Sequence, residues 1–443
     1  MTTGTFSRRK FLGSSLTFLS LPAWAHSVPI NPDVIVVGAG SAGLAAAKTL
    51  IAAGKSVVVL EAATRIGGRA LTESSTFDFP FDHGCSWISS GNLNPYAKFA
   101  KDLGFDLHDH SAAAEALYVG NRKATRKESR KYDRDWYATL GALEKAGKAG
   151  LDVAASTVIP KDREFVGVSQ TWIGAMDWGV DFNDLSTMDN YKSAEAAPNY
   201  MFKQGHGTLV QRISEGLPVQ LRTPATKITW GGNGVSVETP SGTISAKACI
   251  VTVSTGVLGA GSIKFSPALP HWKLEAIDNV PMGLLVKIAL QFNQERFGLR
   301  RNSWLSYWIP EKMPAEACYF LTWPFDFNIM IGFIGGEFGW EMSADGEAAI
   351  DFALGELVQM LGSDVRKYFV KGILTGWAHN SLTKGAYAAA KPGHHNARDT
   401  LAQPIDDRLF FAGEAMAGGL ITLCGGAFLS GVSTAKKVIK AII

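Results

Sequence analysis

Lys287 stands alone in Met282-Gly-Leu-Leu-Val-Lys287-Ile-Ala-Leu-Gln-Phe292, an otherwise apolar, β-rich run. Burying an unpaired ammonium is costly or forces a large fall in its pKa, so a lysine there needs a reason. A second cluster lies near the start, in Asp33-Val-Ile-Val-Val-Gly38-Ala-Gly40-Ser41-Ala-Gly43 and the alanine-rich Leu44 to Leu50. This reads as a buried strand, a tight turn and a helix. Gly38 permits the turn, Gly40 lets a pyrophosphate approach the backbone at Ser41, and Gly43 lets the helix pack closely, with the helix N-terminus facing phosphate. The next strand, Ser56-Val-Val-Val-Leu60, ends in Glu61, at the spacing where a carboxylate accepts from adenosine ribose hydroxyls. A dinucleotide on a Rossmann-like α/β unit is therefore expected.

The residues after Glu61 select the dinucleotide. Arg65, Gly67, Gly68 and Arg69 lie just past the ribose carboxylate, where a nicotinamide enzyme needs nothing of the kind. They suit an extended FAD, because glycines admit close backbone approach and a guanidinium binds oxygens bidentately. The stretch resembles the signature of the flavin-containing amine oxidases, the family of monoamine oxidases, polyamine oxidases and flavin histone demethylases.

That resemblance implies roles elsewhere. Phe77-Asp-Phe-Pro-Phe-Asp82-His83-Gly84-Cys85-Ser86-Trp87-Ile88 is similar to the segment passing the flavin ring, with Gly84 and Ser86 at the ring and Trp87 walling the cavity. Ala225 matches a backbone contact to the flavin nucleotide. Lys287 matches the lysine that holds a water near flavin N5 and is associated with oxygen. Trp377 and Tyr387 would turn aromatic faces to an incoming amine, whose positive end a ring attracts. Gly413 and Glu414 would run along the ribityl and phosphate chain, and Leu423 falls where the second wall of the usual aromatic sandwich stands. Ala386 occupies the position of the cysteine that binds FAD covalently in animal monoamine oxidases, so noncovalent FAD is expected. Ser89 stands where some polyamine oxidases carry a glutamate, so a di-cationic substrate would need another acid.

The first residues read as an address. Ser7-Arg8-Arg9-Lys10-Phe11-Leu12, the apolar Leu16 to Leu21 and Ala23-Trp24-Ala25 form a twin-arginine signal over residues 1–25, which predicts export to a bacterial periplasm. Removing Arg8, Arg9 and Lys10 leaves 40 basic and 40 acidic residues, and nothing global argues for nucleic acid or an anionic membrane. Cys85, Cys249, Cys318 and Cys424 show no metal spacing and read mostly as buried thiols; no metal is expected. The long uncharged stretch Ala415 to Ala435 reads as a glycine-rich, cofactor-packed helix rather than a bilayer span. Arg122, Arg126, Arg130 and Arg134, with Lys123, Lys127 and Lys131, would form one basic face on a helix, either a solvated surface or a dock for an electron-accepting protein.

With 443 residues at 46% hydrophobic composition, the chain can build two cores. The FAD-binding domain is expected over 31–95, 204–272 and 396–443, and a mixed-sheet and helical substrate domain over 96–203 and 273–395. By resemblance, the reaction moves a hydride from an amine α-carbon to flavin N5. The imine hydrolyses to an aldehyde or ketone, and oxygen becomes hydrogen peroxide. An L-amino-acid oxidase, or a dehydrogenase passing electrons to a cytochrome or quinone, is the alternative.

Overall fold

The computed structural model describes residues 31–194, 196–310 and 316–442, so the expected export signal lies outside the described residues. Its architecture is the anticipated α/β arrangement of two packed units. The first is built on a five-stranded parallel sheet in the order Leu409–Phe411, Ala248–Val251, Val34–Val37, Val57–Leu60, Val219–Gln220. Both faces of its central strands are covered, which is why they are runs of Val, Ile and Leu rather than alternating sequences. The helices Ser41–Ala52 and Cys424–Ala441 cover one face. They meet backbone to backbone: a Cβ on Gly431 would lie 2.1 Å from the Ala42 carbonyl oxygen.

The second unit is a seven-stranded mixed sheet, in which Leu285–Phe292 is an inner strand between Phe369–Leu374 and Ile329–Gly335. Strand periodicity sends Val286, Ile288 and Leu290 against the helix Gly346–Leu361, and leaves Leu285, Lys287 and Ala289 on the opposite face, towards the first unit. Lys287 thus occupies an inner strand and is 5% exposed, not an edge position that reaches solvent.

Three expectations need correction. The helix Pro95–Asp102, assigned to the substrate domain from residue 96, buries Tyr96, Ala97 and Ala100 in the core of the first unit. Its apolar face matches that core, whereas a boundary set by the end of a motif cannot sense packing. The seven basic residues do not share one helical face. Arg122 and Lys123 form a short strand, and the capping box of Thr125 with Glu128 starts the helix only at Arg126. Arg122 pairs with Glu128 and Lys131 with Glu164, so part of the positive charge is already answered. The Ala415 to Ala435 stretch is not one helix, because positive φ at Gly418 and Thr422 breaks it into short turns before Cys424–Ala441. Among the described residues no helix is long and apolar enough to cross a membrane.

Candidate active site

A cavity of about 650 Å³ runs from the glycine turn of the first unit to the face of the seven-stranded sheet that carries Lys287. At its first end, Gly40 caps the helix Ser41–Ala52, and a Cβ on Gly40 would meet nothing within 4 Å, so the backbone there faces open space. Gly43, one turn on, does not line the cavity. Its Cβ would sit 1.9 Å from the Gly38 carbonyl oxygen, so it serves helix packing. Glu61 lies at the end of its strand, with Oε2 accepting from the Ala39 N–H at 2.7 Å and Oε1 from the Ala63 N–H at 2.7 Å. Those bonds fix the carboxylate at the cavity wall and leave lone pairs for further donors.

Arg65 turns inward, donating to the carbonyls of Ile66 at 3.1 Å and Gly68 at 2.8 Å, which braces the Gly67–Gly68 turn. Burial lowers its pKa, with Glu61 opposing. Arg69 joins three distant segments by donating to the Ala386 carbonyl at 2.7 Å and Glu414 Oε1 at 3.0 Å. Glu414 Oε1 also accepts from the Ala388 N–H at 3.1 Å, while Oε2 is buried with no hydrogen-bond partner among the described residues. An orphaned carboxylate oxygen in a cavity wall fits a hydroxyl-bearing ligand. With the open backbone at Gly40 and the carboxylate of Glu61, these residues fit an extended flavin dinucleotide. Ala225, Gly413 and Leu423 complete the walls of this half.

At the second end, Gly84 leaves no room for a side chain, since a Cβ would lie 1.7 Å from the Arg69 carbonyl oxygen and 3.1 Å from Trp377 Cζ2. Lys287 Nζ donates to the carbonyls of Asp82 at 2.7 Å and Gly84 at 2.5 Å and to Ser86 Oγ at 2.6 Å. The three hydrogens of the ammonium are therefore matched by three protein oxygens. Burial lowers the pKa of Lys287 from 10.5 to about 8, against the opposing pull of Asp82 and Cys85. Trp377 is locked by its Nε1 donating to the His83 carbonyl at 2.7 Å, and Tyr387 by its hydroxyl donating to the Met176 carbonyl at 2.7 Å. Trp87 stacks on Trp304, with centroids 5.7 Å apart and planes at 19°, and its Nε1 donates to His110 Nδ1 at 3.3 Å. The ring of His83 turns away to Glu73 at 3.2 Å.

Apart from Gly43, every residue expected at the cofactor or the reacting centre lines this one cavity. Sequence reasoning missed Trp172, Met176, Asp177, Trp304 and Phe333, which line the second end. The aromatics gave no signal separable from core packing. Asp177 did: it is the lone charge in the apolar Trp172-Ile-Gly-Ala-Met-Asp177-Trp178, the same anomaly that marks Lys287.

The model of the flavin containing amine oxidoreductases matches residues 41–173 and 176–439. The chain is 29% identical to polyamine oxidase 4 of Oryza sativa subsp. japonica, over 96% of this chain and 92% of that protein. It is 27% identical to lysine-specific histone demethylase 2 of Homo sapiens over 92% of its own length, but spans only 53% of that relative. Cyclohexylamine oxidase from Brevibacterium oxydans IH-35A superposes with a TM-score of 0.77 at 21% identity, covering 93% of this chain and 99% of that one. Putrescine oxidase bound to putrescine does so with a TM-score of 0.75 at 19% identity, over the same shares. At such identities the structural likeness speaks for the fold. The family match spans nearly all the described residues and the cavity it implies is built, so the chain belongs to the flavin-containing amine oxidoreductase family.

Proposed function

We propose that this chain oxidises a small amine, with noncovalently held FAD as its resident cofactor and oxygen as the acceptor, releasing hydrogen peroxide. The observation that carries this reading is the position of Lys287, buried in the wall where the glycine-lined half of the cavity meets the aromatic half. Bound there, the flavin supplies the acceptor for a hydride from the amine α-carbon, and the released imine hydrolyses to an aldehyde or ketone. Trp377 and Tyr387, each pinned through its polar end, present fixed ring faces that orient the amine. The mainly apolar walls favour the neutral amine, so no side-chain base is required. Lys287, cationic below about pH 8, holds positive charge at the wall, where it would stabilise negative charge developing on oxygen. Ala386 offers no thiol for covalent attachment, which supports a releasable FAD; a protein that stays yellow after acid precipitation would contradict it.

The exposed carboxylate of Asp177 at the cavity supports an amine with a second cationic end, the acid that Ser89 does not provide. Periplasmic export rests on Arg8 and Arg9, and Lys replacement of both should strand the protein in the cytoplasm; continued export would end that reading. Anaerobic mixing of the holoenzyme with monoamines, polyamines and amino acids, followed by flavin absorbance, tests the activity. Bleaching by an amine is expected, and bleaching by none overturns the proposal. Readmitting oxygen should restore the absorbance with stoichiometric peroxide. Recovery only with a cytochrome or quinone would make the chain a dehydrogenase instead.

A further inference from the structure

Cys85, His206 and Cys424 are remote in sequence, yet the two sulfurs and a ring nitrogen lie within 4.8 Å of one another. Cys424 opens the eighteen-residue helix Cys424–Ala441, whose N-terminus has no side-chain cap, and such an end favours a thiolate. His206 is fully buried, and neither ring nitrogen has a hydrogen-bond partner among the described residues. Its ring is held between Tyr96 and Phe202, with centroids at 5.0 and 5.7 Å, and its backbone N–H donates to the Asp82 carboxylate at 3.0 Å. An unpartnered imidazole is costly to bury, and the groups beside it are the two sulfurs. The hydrogen bond with Cys85, and then the proximity of His206, hold the Cys424 thiol well below its usual range against the effect of burial. Cys424 and burial push Cys85 up. Burial depresses His206, but the neighbouring Cys424 outweighs it and the net shift is upward. The helix N-terminus and the imidazole beside it favour Cys424 over Cys85 as the nucleophile, with His206 placed to hold a proton.

We propose that Cys424, Cys85 and His206 form a peroxide-reactive thiol site in the wall of the flavin cavity, which closes to an intramolecular Cys85–Cys424 disulfide. The Cys424 thiolate attacks one oxygen of hydrogen peroxide. An S–O bond forms, the O–O bond breaks, and the departing hydroxide takes the proton of the His206 imidazolium to leave as water. Cys85 then attacks the Cys424 sulfur. The S–S bond forms as the S–O bond breaks, and the Cys85 proton, passed through His206, leaves with hydroxide as a second water. Two thiols are oxidised to one disulfide and one peroxide is reduced to two waters. Both cysteines line the cavity, so peroxide made there reaches them without crossing bulk solvent. The site rests on the oxygen-reducing reading only for that internal source of oxidant. Closure bears on Lys287 too, because Cys85 sits between Gly84 and Ser86, whose carbonyl and hydroxyl hold the lysine head.

The test treats reduced holoenzyme with added hydrogen peroxide, independently of turnover, then alkylates and maps the thiols by mass spectrometry. A Cys85–Cys424 peptide link is expected, with Cys249 and Cys318 still alkylated. Cys85→Ser should leave a sulfenic acid on Cys424 that dimedone traps, on the order of tenfold or more faster than at either buried control cysteine. In Cys424→Ser neither the link nor a dimedone adduct on Cys85 should form. His206→Asn should slow trapping while retaining the flavin spectrum. A flavin-loaded Cys85→Ser protein whose Cys424 ignores peroxide overturns the proposal, as does stoichiometric zinc held by the three residues in the purified protein. Failure of amines to yield peroxide would sink the oxidase reading and leave this result standing.

Discussion

The two ends of the cavity are made of different material. The dinucleotide end is mostly backbone: a glycine turn, two helix N-termini and carboxylates already fixed by main-chain N–H groups. The aromatic end is mostly side chain, gathered from strands, a wide helical turn at Thr171–Trp178 and the connection before Tyr387. A backbone surface fails abruptly when crowded, whereas a side-chain surface can be retuned one residue at a time. Shape at the first end thus belongs to the fold, and shape at the second belongs to the substrate.

Identical substitutions three residues apart should break this contrast most sharply. Gly43→Ala places a methyl against the Gly38 carbonyl and should cost about 3 kcal/mol or more of stability, read by denaturant unfolding. Gly40→Ala meets open space, so the apoprotein should unfold as the parent does while flavin affinity falls roughly tenfold, an unfavourable 1.4 kcal/mol or so, read by fluorescence titration. Equal stability losses would show that the two glycines serve one purpose.

Lys287→Met comes next. Flavin reoxidation by oxygen should slow roughly a hundredfold, in line with removing one preorganised charge, while anaerobic reduction by amine changes far less. Stopped-flow comparison of the half-reactions checks it, and equal slowing would remove the oxygen role. The pH profiles should diverge too. Amine-driven reduction rises with pH as the amine loses its proton, whereas reoxidation falls as Lys287 discharges through about pH 8. For stability the sign is opposite to that of a surface lysine in an ion pair. The folded state disfavours the ammonium, so its penalty is full below about pH 8 and is relieved as pH rises towards 10.5, where the unfolded chain still binds the proton. That gain is on the order of 3 kcal/mol, visible as a pH-dependent unfolding midpoint missing from Lys287→Met. The smallest effect is expected at exposed Asp177: Asp177→Asn should raise KM for a diamine about fivefold, or about 1 kcal/mol, with little change for a monoamine of equal length.

The same difference in material explains what could be read in advance. Gly38 to Gly43, Glu61 and Arg65 to Arg69 act through short spacings, and short spacings survive as strings of letters. Lys287 was visible because a charge inside an apolar strand contradicts its neighbours. Trp304 and Phe333 were not, since a tryptophan facing a cavity and one facing a core obey the same alternation along a strand. The meeting of Cys85, His206 and Cys424 was hidden for a related reason, because no local spacing encodes contacts made by helix starts and a loop so far apart. The domain edge at the helix Pro95–Asp102 was misplaced because two of the helices it packs against, His206–Ile213 and Cys424–Ala441, lie more than a hundred residues away.

Arg69 bridges to Ala386 and Glu414, and the strand Leu409–Phe411 and the helix after Cys424 complete the sheet and its cover. A ribosome delivers these parts long after the glycine turn. A nascent chain that already displays the whole glycine turn still has no clasp, and capture of the cofactor must wait until synthesis has passed the helix Cys424–Ala441.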